Sequence, residues 1–127
     1  MHKSRLGCIV LDCQTDDLDR DAAFWADVLG AKVVSRNNPG DGKYRGLATD
    51  DDAPKILLQQ VEHESRVHLD IEADDIEAEV ERLENLGAKR LQNIQRWVVM
   101  EAPSGHRFCV VGKRRADFDE EANSWSG

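Results

Sequence analysis

Leu69-Asp-Ile-Glu-Ala-Asp-Asp-Ile76 repeats the pattern of Leu11-Asp-Cys-Gln-Thr-Asp-Asp-Leu18 at an offset of 58 residues. Each tract runs into an amphipathic helix, and each helix ends in a second shared tract. Leu29-Gly-Ala-Lys32 recurs as Leu86-Gly-Ala-Lys89, now at an offset of 57, so the first helix is one residue longer. Two tracts in the same order on either side of a helix predict an internal duplication.

Each copy reads as strand, helix and further strands. In the first, Gly7–Gln14 is short, β-branched and polar at its end, as a strand should be. Leu18, Ala22, Trp25 and Leu29 follow at helical spacing, with Asp16 or Asp17 as N-cap and Gly30 as the left-handed terminator. Strands are predicted over Ala31–Arg36, Tyr44–Thr49 and Ile56–Val61, around a loop at Asn37–Gly42 and an acidic loop at Asp50–Asp52. In the second copy, strand Val67–Ala73 leads to a helix with Ile76, Val80, Leu83 and Leu86 on one face, ending at Gly87. Strands at Ala88–Ile94, Arg96–Glu101 and His106–Val111 complete it, the last entered through the Pro103-Ser-Gly105 turn. The domain is thus expected over residues 1–111, with one module at about 7–62 and the other at about 66–111. Residues 112–127 read as a polar tail in which Lys113-Arg-Arg115 is a solvated cluster. Phe118 and Trp125 leave docking and disorder both open for it.

Composition narrows the class. The 127 residues suit one domain, and 40% hydrophobic with 33% charged residues predicts a globular fold. No apolar run approaches the ~20 residues of a membrane-spanning helix, and no secretory h-region follows Met1, so a cytoplasmic protein is expected. Three cysteines, odd in number and without a CxxC pair, read as free thiols. A formal charge of −8 opposes binding to nucleic acid or to anionic lipid. The acidic loop lacks the ligand spacing of an EF-hand.

The chain resembles the vicinal-oxygen-chelate superfamily, in its glyoxalase/bleomycin-resistance branch and its glyoxalase-like subfamily. The resemblance is carried by Asp17-Leu18, Phe24-Trp25, Val28-Leu-Gly30, Arg66-Val-His-Leu-Asp70, Leu86-Gly-Ala88, and Ala102-Pro-Ser-Gly105 with Phe108, across residues 7 to 111. It implies an α+β fold: two tandem βαβββ modules forming an eight-stranded open barrel around a cleft. It also implies a homodimer. Metal-dependent members hold a divalent ion with four inward His and Glu side chains, from the first and last strands of each module. The matching positions here are Val10, Gln59 (Gln60 if the register slips by one), His68 and Cys109. Valine cannot ligate and a Gln amide is a weak neutral donor, so neither a metal nor any other cofactor is expected at the usual position.

His68 keeps two readings. It is either a cleft histidine bonded to a neighbour, or it pairs with Asp70, two residues on and on the same strand face, as an acid–base or ligand-holding pair. Asp12 is the repeat mate of Asp70, and Cys8 lies on its strand face. Cys109 reads most simply as a small core hydrophobe, Trp25 as helix-to-sheet packing, Trp97 as a pocket wall, and His106 as a surface residue. The expected cleft lining is Val10, Asp12, Gln59, His68, Trp97 and Cys109, with His68 and Asp70 as the catalytic pair if there is one. The leading expectation is a protein that binds a small organic ligand without the usual metal site. The alternatives are a lyase or isomerase using His68 and Asp70, a metal enzyme with an atypical ligand set, and an interaction protein whose cleft is filled by its own side chains.

Overall fold

The computed structural model describes residues 1–34, 42–94 and 96–126. The elements are β1 (His2–Gln14), α1 (Leu18–Leu29), β2 (Val33–Val34), β3 (Tyr44–Leu47), β4 (Lys55–Val61), β5 (Arg66–Ala73), α2 (Ile76–Asn85), β6 (Lys89–Ile94), β7 (Trp97–Glu101), β8 (Arg107–Gly112), α3 (Phe118–Glu121) and β9 (Asn123–Trp125). The order βαβββ therefore occurs twice before the C-terminal α3 and β9. Most of the loop expected at 37–42, and the end of the strand expected at 31–36, lie outside the described residues.

Two compact units share the chain, Cys8–Val67 and Met1–Gly7 with His68–Gly127. Strand β1 thus gives its first half to one unit and its second half to the other.

In the Cys8–Val67 unit the strand order is β2-β3-β4-β1, with β4 parallel to β1 and antiparallel to β3. Helix α1 is capped by Asp17, whose carboxylate accepts from the Arg20 amide, and closed by Gly30 at φ 65°. The capping oxygen satisfies an otherwise orphaned helix N–H, and glycine adopts the left-handed turn without Cβ strain. The face that α1 buries carries Leu18, Ala22 and Ala26 against Cys13, Leu47 and Leu58, with Trp25 at the edge. Leu29, expected on that face, is the last residue of α1 and is exposed.

In the other unit β5, β8, β7 and β6 follow one another, β5 parallel to β8 and the rest antiparallel. Asp75 caps α2 by accepting from the Ala78 amide, the same role at the repeat-equivalent position. Val80 packs with Ala73, Val98, Met100 and Val110, and Ile76 and Leu83 flank them. Leu86 forms the C-cap and is exposed.

This unit also contains what the sequence left open. The N-terminal strand begins at His2, five residues earlier than expected from Gly7, and β9 pairs with it from His2↔Trp125 to Ser4↔Asn123. Phe118 is fully buried, so the tail is docked. Arg115, expected in a solvated cluster, has a buried side chain and donates to Glu72 at 2.8 Å and to the Leu6 carbonyl at 2.8 Å. A buried carboxylate needs such donors, and Glu72 attracts the guanidinium out of water.

Candidate functional site

Strand alternation sorts the site residues onto sheet faces. In the Met1–Gly7 and His68–Gly127 unit, Ala73, Val98, Met100 and Val110 face α2. His68, Asp70 and Glu72 therefore point from the opposite face of β5. The register Asp70↔Cys109 places Cys109 beside Asp70, and Val99↔Cys109 and Trp97↔Val111 put Val99 and half-buried Trp97 on the same face. His68 Nε2 lies 3.4 Å from Asp70 Oδ1, with Asp70 buried and His68 half-buried. One ligand-type atom from each of His68, Asp70 and Cys109 lies within 4.8 Å of the others. Cys109 is half-buried beside Asp70, at the edge of the core and not sealed within it.

The same alternation in the Cys8–Val67 unit puts Cys13 and Leu58 toward α1 and leaves Val10, Asp12 and Gln59 on the other face. Asp12 and Gln59 are register partners. Gln59, not Gln60, is thus the residue on that face; its amide donates to the Tyr44 hydroxyl at 3.0 Å, while Gln60 donates to the Thr15 carbonyl at 2.7 Å. Asp12 is buried, and Arg66 Nε lies 3.8 Å from its Oδ2. A cavity of about 360 Å³ opens here, with Asp12, Arg20, Trp25, Ser65 and Arg66 among its walls. Burial pushes the Cys13 thiol above its ordinary pKa, helped by Asp21 and Asp12, so this cysteine is an unreactive core group.

The seven expected residues thus fall into two groups: His68, Asp70, Cys109 and Trp97 in one unit, and Val10, Asp12 and Gln59 in the other. Sequence reasoning passed over Tyr44, Arg66 and Val99, which touch or adjoin these residues. Their signal was positional: each occupies the register position or strand end next to a residue already singled out. His106 is exposed, within 2.6 Å of the Ser104 hydroxyl, as a turn residue should be.

The residues test poorly against a four-position metal set. Val10 has no donor atom, and Gln59 offers only a neutral amide oxygen, its nitrogen donating to Tyr44. Only His68 and Cys109 offer ligands at the positions the resemblance assigns, and Asp70 joins them from a position outside that set.

A family model described as glyoxalase-like domain matches residues 8–111. The chain belongs to this family. A comparison with curated protein sequences finds no match. Among solved structures, methylmalonyl-CoA epimerase from Mycobacterium tuberculosis superposes with a TM-score of 0.62 at 17% identity, covering 86% of this chain and 87% of its own. A glyoxalase/bleomycin resistance protein/dioxygenase superfamily member from Vibrio splendidus 12B01 gives 0.54 at 18% identity, covering 89% of this chain and 100% of its own. A mutant 4-hydroxymandelate synthase from Streptomyces coelicolor gives 0.63 at 18% identity over 88% of this chain, and the match takes in 39% of the synthase. At such identities the likeness establishes the fold alone: the α+β glyoxalase/bleomycin-resistance fold that the resemblance implies. Among the described residues no helix is long and apolar enough to cross a membrane.

Proposed function

We propose that this glyoxalase-like protein binds a small organic ligand through the His68–Asp70–Cys109 group, without the four-position metal set of its metal-dependent relatives. The observation that carries the reading is the convergence of an imidazole, a buried carboxylate and a thiol on the one sheet face not covered by α2. A buried carboxylate paired with an imidazole recognises groups that share or donate a proton. The homodimer implied by the resemblance and a cytoplasmic setting belong to the same reading, as does the absence of nucleic-acid and membrane partners from a chain of charge −8.

A second reading, an isomerase or lyase, is favoured by the 3.4 Å separation of His68 Nε2 from Asp70 Oδ1. In it His68 takes a proton from the substrate and Asp70 balances the imidazolium. A solved neighbour of this fold is named an epimerase, which supports the class of chemistry and not the substrate.

A thermal-shift panel of organic acids and carbonyl compounds against the metal-free protein tests both, because a ligand of the folded state raises its melting temperature. A binder should stabilise the wild type, and His68→Ala should weaken its affinity roughly tenfold to a hundredfold, the ~1.5–3 kcal/mol of a hydrogen bond to a charged group. If no compound shifts the wild type, or if His68→Ala binds as tightly, the ligand reading is wrong. A variant that binds and turns over normally eliminates the isomerase.

A further inference from the structure

Where an arginine serves the fold of this protein, it is locked to a carboxylate. Arg5, Arg45, Arg82, Arg90 and Arg115 each donate to one at 3.0 Å or less. Arg20 and Arg66 are held more loosely. Arg66 Nε stands 3.8 Å from Asp12, and its Nη2 stands 3.3 Å from the His63 ring. Arg20 Nε stands 3.8 Å from Asp21, and its Nη2 lies 3.2 Å from the Thr15 hydroxyl. Charge-assisted bonds run to about 2.7–2.9 Å, so these two guanidinium groups keep capacity for a closer acceptor. Both border one cavity of about 360 Å³, where β1 runs into α1 beside the start of β5. Its walls come from the Cys8–Val67 unit alone.

Charge is ordered within this cavity. The Asp12 side chain is 3% exposed and that of Asp21 28%, while Arg66 and Arg20 stand further out at 46% and 64%. Half-buried Trp25, with Leu11 and Val67, adds apolar wall. The frame is set in advance. The Gln14 backbone N–H donates to Ser65 Oγ at 3.0 Å and its side chain to the Glu62 carbonyl at 2.8 Å, and Gln60 donates to the Thr15 carbonyl at 2.7 Å. Little ordering is then left to oppose binding. We propose that this cavity binds a zwitterion, namely an α-amino acid with a large apolar side chain. Its ammonium group meets Asp12 and Asp21, its carboxylate meets Arg66 and Arg20, and its side chain lies against Trp25. Two carboxylates repel a phosphate or a dicarboxylic acid, and two guanidinium groups repel a simple amine, so the balanced set selects a ligand carrying both charges. The volume lies near the small end of the ~300–1,000 Å³ of small-molecule sites, which suits a molecule of that size. The inference goes beyond the ligand reading of the His68 group, which belongs to the other unit, and stands or falls separately from it.

Calorimetric titration of the full chain with L-phenylalanine and L-leucine tests the site. The companion probes are 3-phenylpropanoate and 2-phenylethylamine, each of which lacks one of the two charges. At least one amino acid should bind at one equivalent, and each single-charge probe roughly tenfold or more weakly, as loss of a bond between charged groups requires. Arg66→Gln and Arg20→Gln change side chains at the rim and should each weaken binding by a similar factor. Asp12→Asn should do the same, with Asp21→Asn in its place if that protein does not fold. In nitrogen–proton correlation spectra the amino acid should shift the Trp25 indole signal, assigned through Trp25→Phe. His68→Ala should bind the amino acid as tightly as the wild type. Absence of saturable binding by both amino acids overturns the site, as do single-charge probes or arginine variants that bind equally well. Binding that is lost with His68→Ala and kept with Arg66→Gln assigns the amino acid to the other unit and overturns it too.

Discussion

At the scale of single residues, two buried glutamates show how far local sequence signals reach. Glu79 sits on α2 with no exposure, His2 Nε2 at 2.7 Å from Oε1, the Ser4 hydroxyl donating to Oε2 at 2.8 Å, and Arg82 donating to both oxygens at 2.9 Å. The Arg82 guanidinium lies 3.8 Å from the Trp125 ring centroid, and the Trp125 indole N–H donates to Ser4 at 2.8 Å. Nothing in the helix pattern marks Glu79 as buried, because apart from Arg82 its partners are His2 and Ser4, far away in the chain. The two-residue spacing of His68 and Asp70, by contrast, predicted their shared strand face, and the resemblance set Cys109 in the same expected cleft lining; the strand register adds that Cys109 stands beside Asp70. Removing Glu79 leaves Arg82 and His2 facing a void. Glu79→Ala should therefore cost ~3 kcal/mol, toward the low end for breaking a buried pair because Arg82 keeps partial access to water. Urea unfolding measures it: the midpoint should fall with the slope unchanged. Glu77→Ala, which removes an exposed pair with Arg90, should move the midpoint little. Equal shifts for the two variants would show that the Glu79 network is not structural.

The elements themselves were largely readable, because caps, glycines and apolar periodicity all pointed the same way. Asp17 and Gly30 bound α1 as expected, and the βαβββ order appears twice. The C-terminal segment was not readable. Its charge-rich composition matches a solvated tail, and its two aromatics gave no period to place them. What holds it is tertiary. Arg5 donates to Glu72 at 3.0 Å and to Asp117 at 2.6 Å, and the backbone N–H groups of Arg114 and Arg115 donate to Glu72 at 2.8 and 3.2 Å. Gly7 fits the same spot, since a Cβ there would stand 3.0 Å from the Glu72 side chain. Phe118, nearly inaccessible to solvent, anchors α3. Truncation after Gly112 would thus uncover a carboxylate that is otherwise saturated with donors. Phe118→Ala, the milder change, should destabilise the protein by ~3 kcal/mol or more, as expected for an emptied aromatic site. The truncated chain should lose more and show faster amide exchange in β1 and β5. A truncated chain that unfolds at the wild-type urea midpoint would mean that the segment is merely draped on the surface.

For the molecule as a whole, these acids set the response to pH. Burial alone would raise the Glu72 carboxyl, but the Arg114 and Arg115 backbone N–H groups and the Arg115 and Arg5 guanidinium groups outweigh it and hold it below the ordinary value of 4.5. Glu79 is likewise held down against its burial by Arg82, His2 and Ser4. A carboxylate whose pKa is lower folded than unfolded binds protons more readily in the unfolded chain. Its stabilising contribution is fully present above the unfolded value and is lost as pH falls through the folded one. The melting temperature should accordingly stay nearly level from neutral pH down to about 5, then drop steeply below 4.5 as both glutamates protonate. Surface charge works the other way. Protonating exposed acids on a chain of charge −8 relieves repulsion, but those groups are screened and contribute weakly. Asp19, Glu77 and Asp117 also lie below their ordinary values, through Arg45, Arg90 and Arg5 respectively, so they act in the same direction as the buried pair, but they face solvent and should deepen the drop only slightly. The decisive comparison is Glu79→Gln, which keeps the shape of the side chain and removes its titration. Its melting curve should start lower at pH 7 and fall less between pH 4.5 and 3 than that of the wild type. If both proteins lose stability in parallel over that interval, the acid transition does not belong to Glu79.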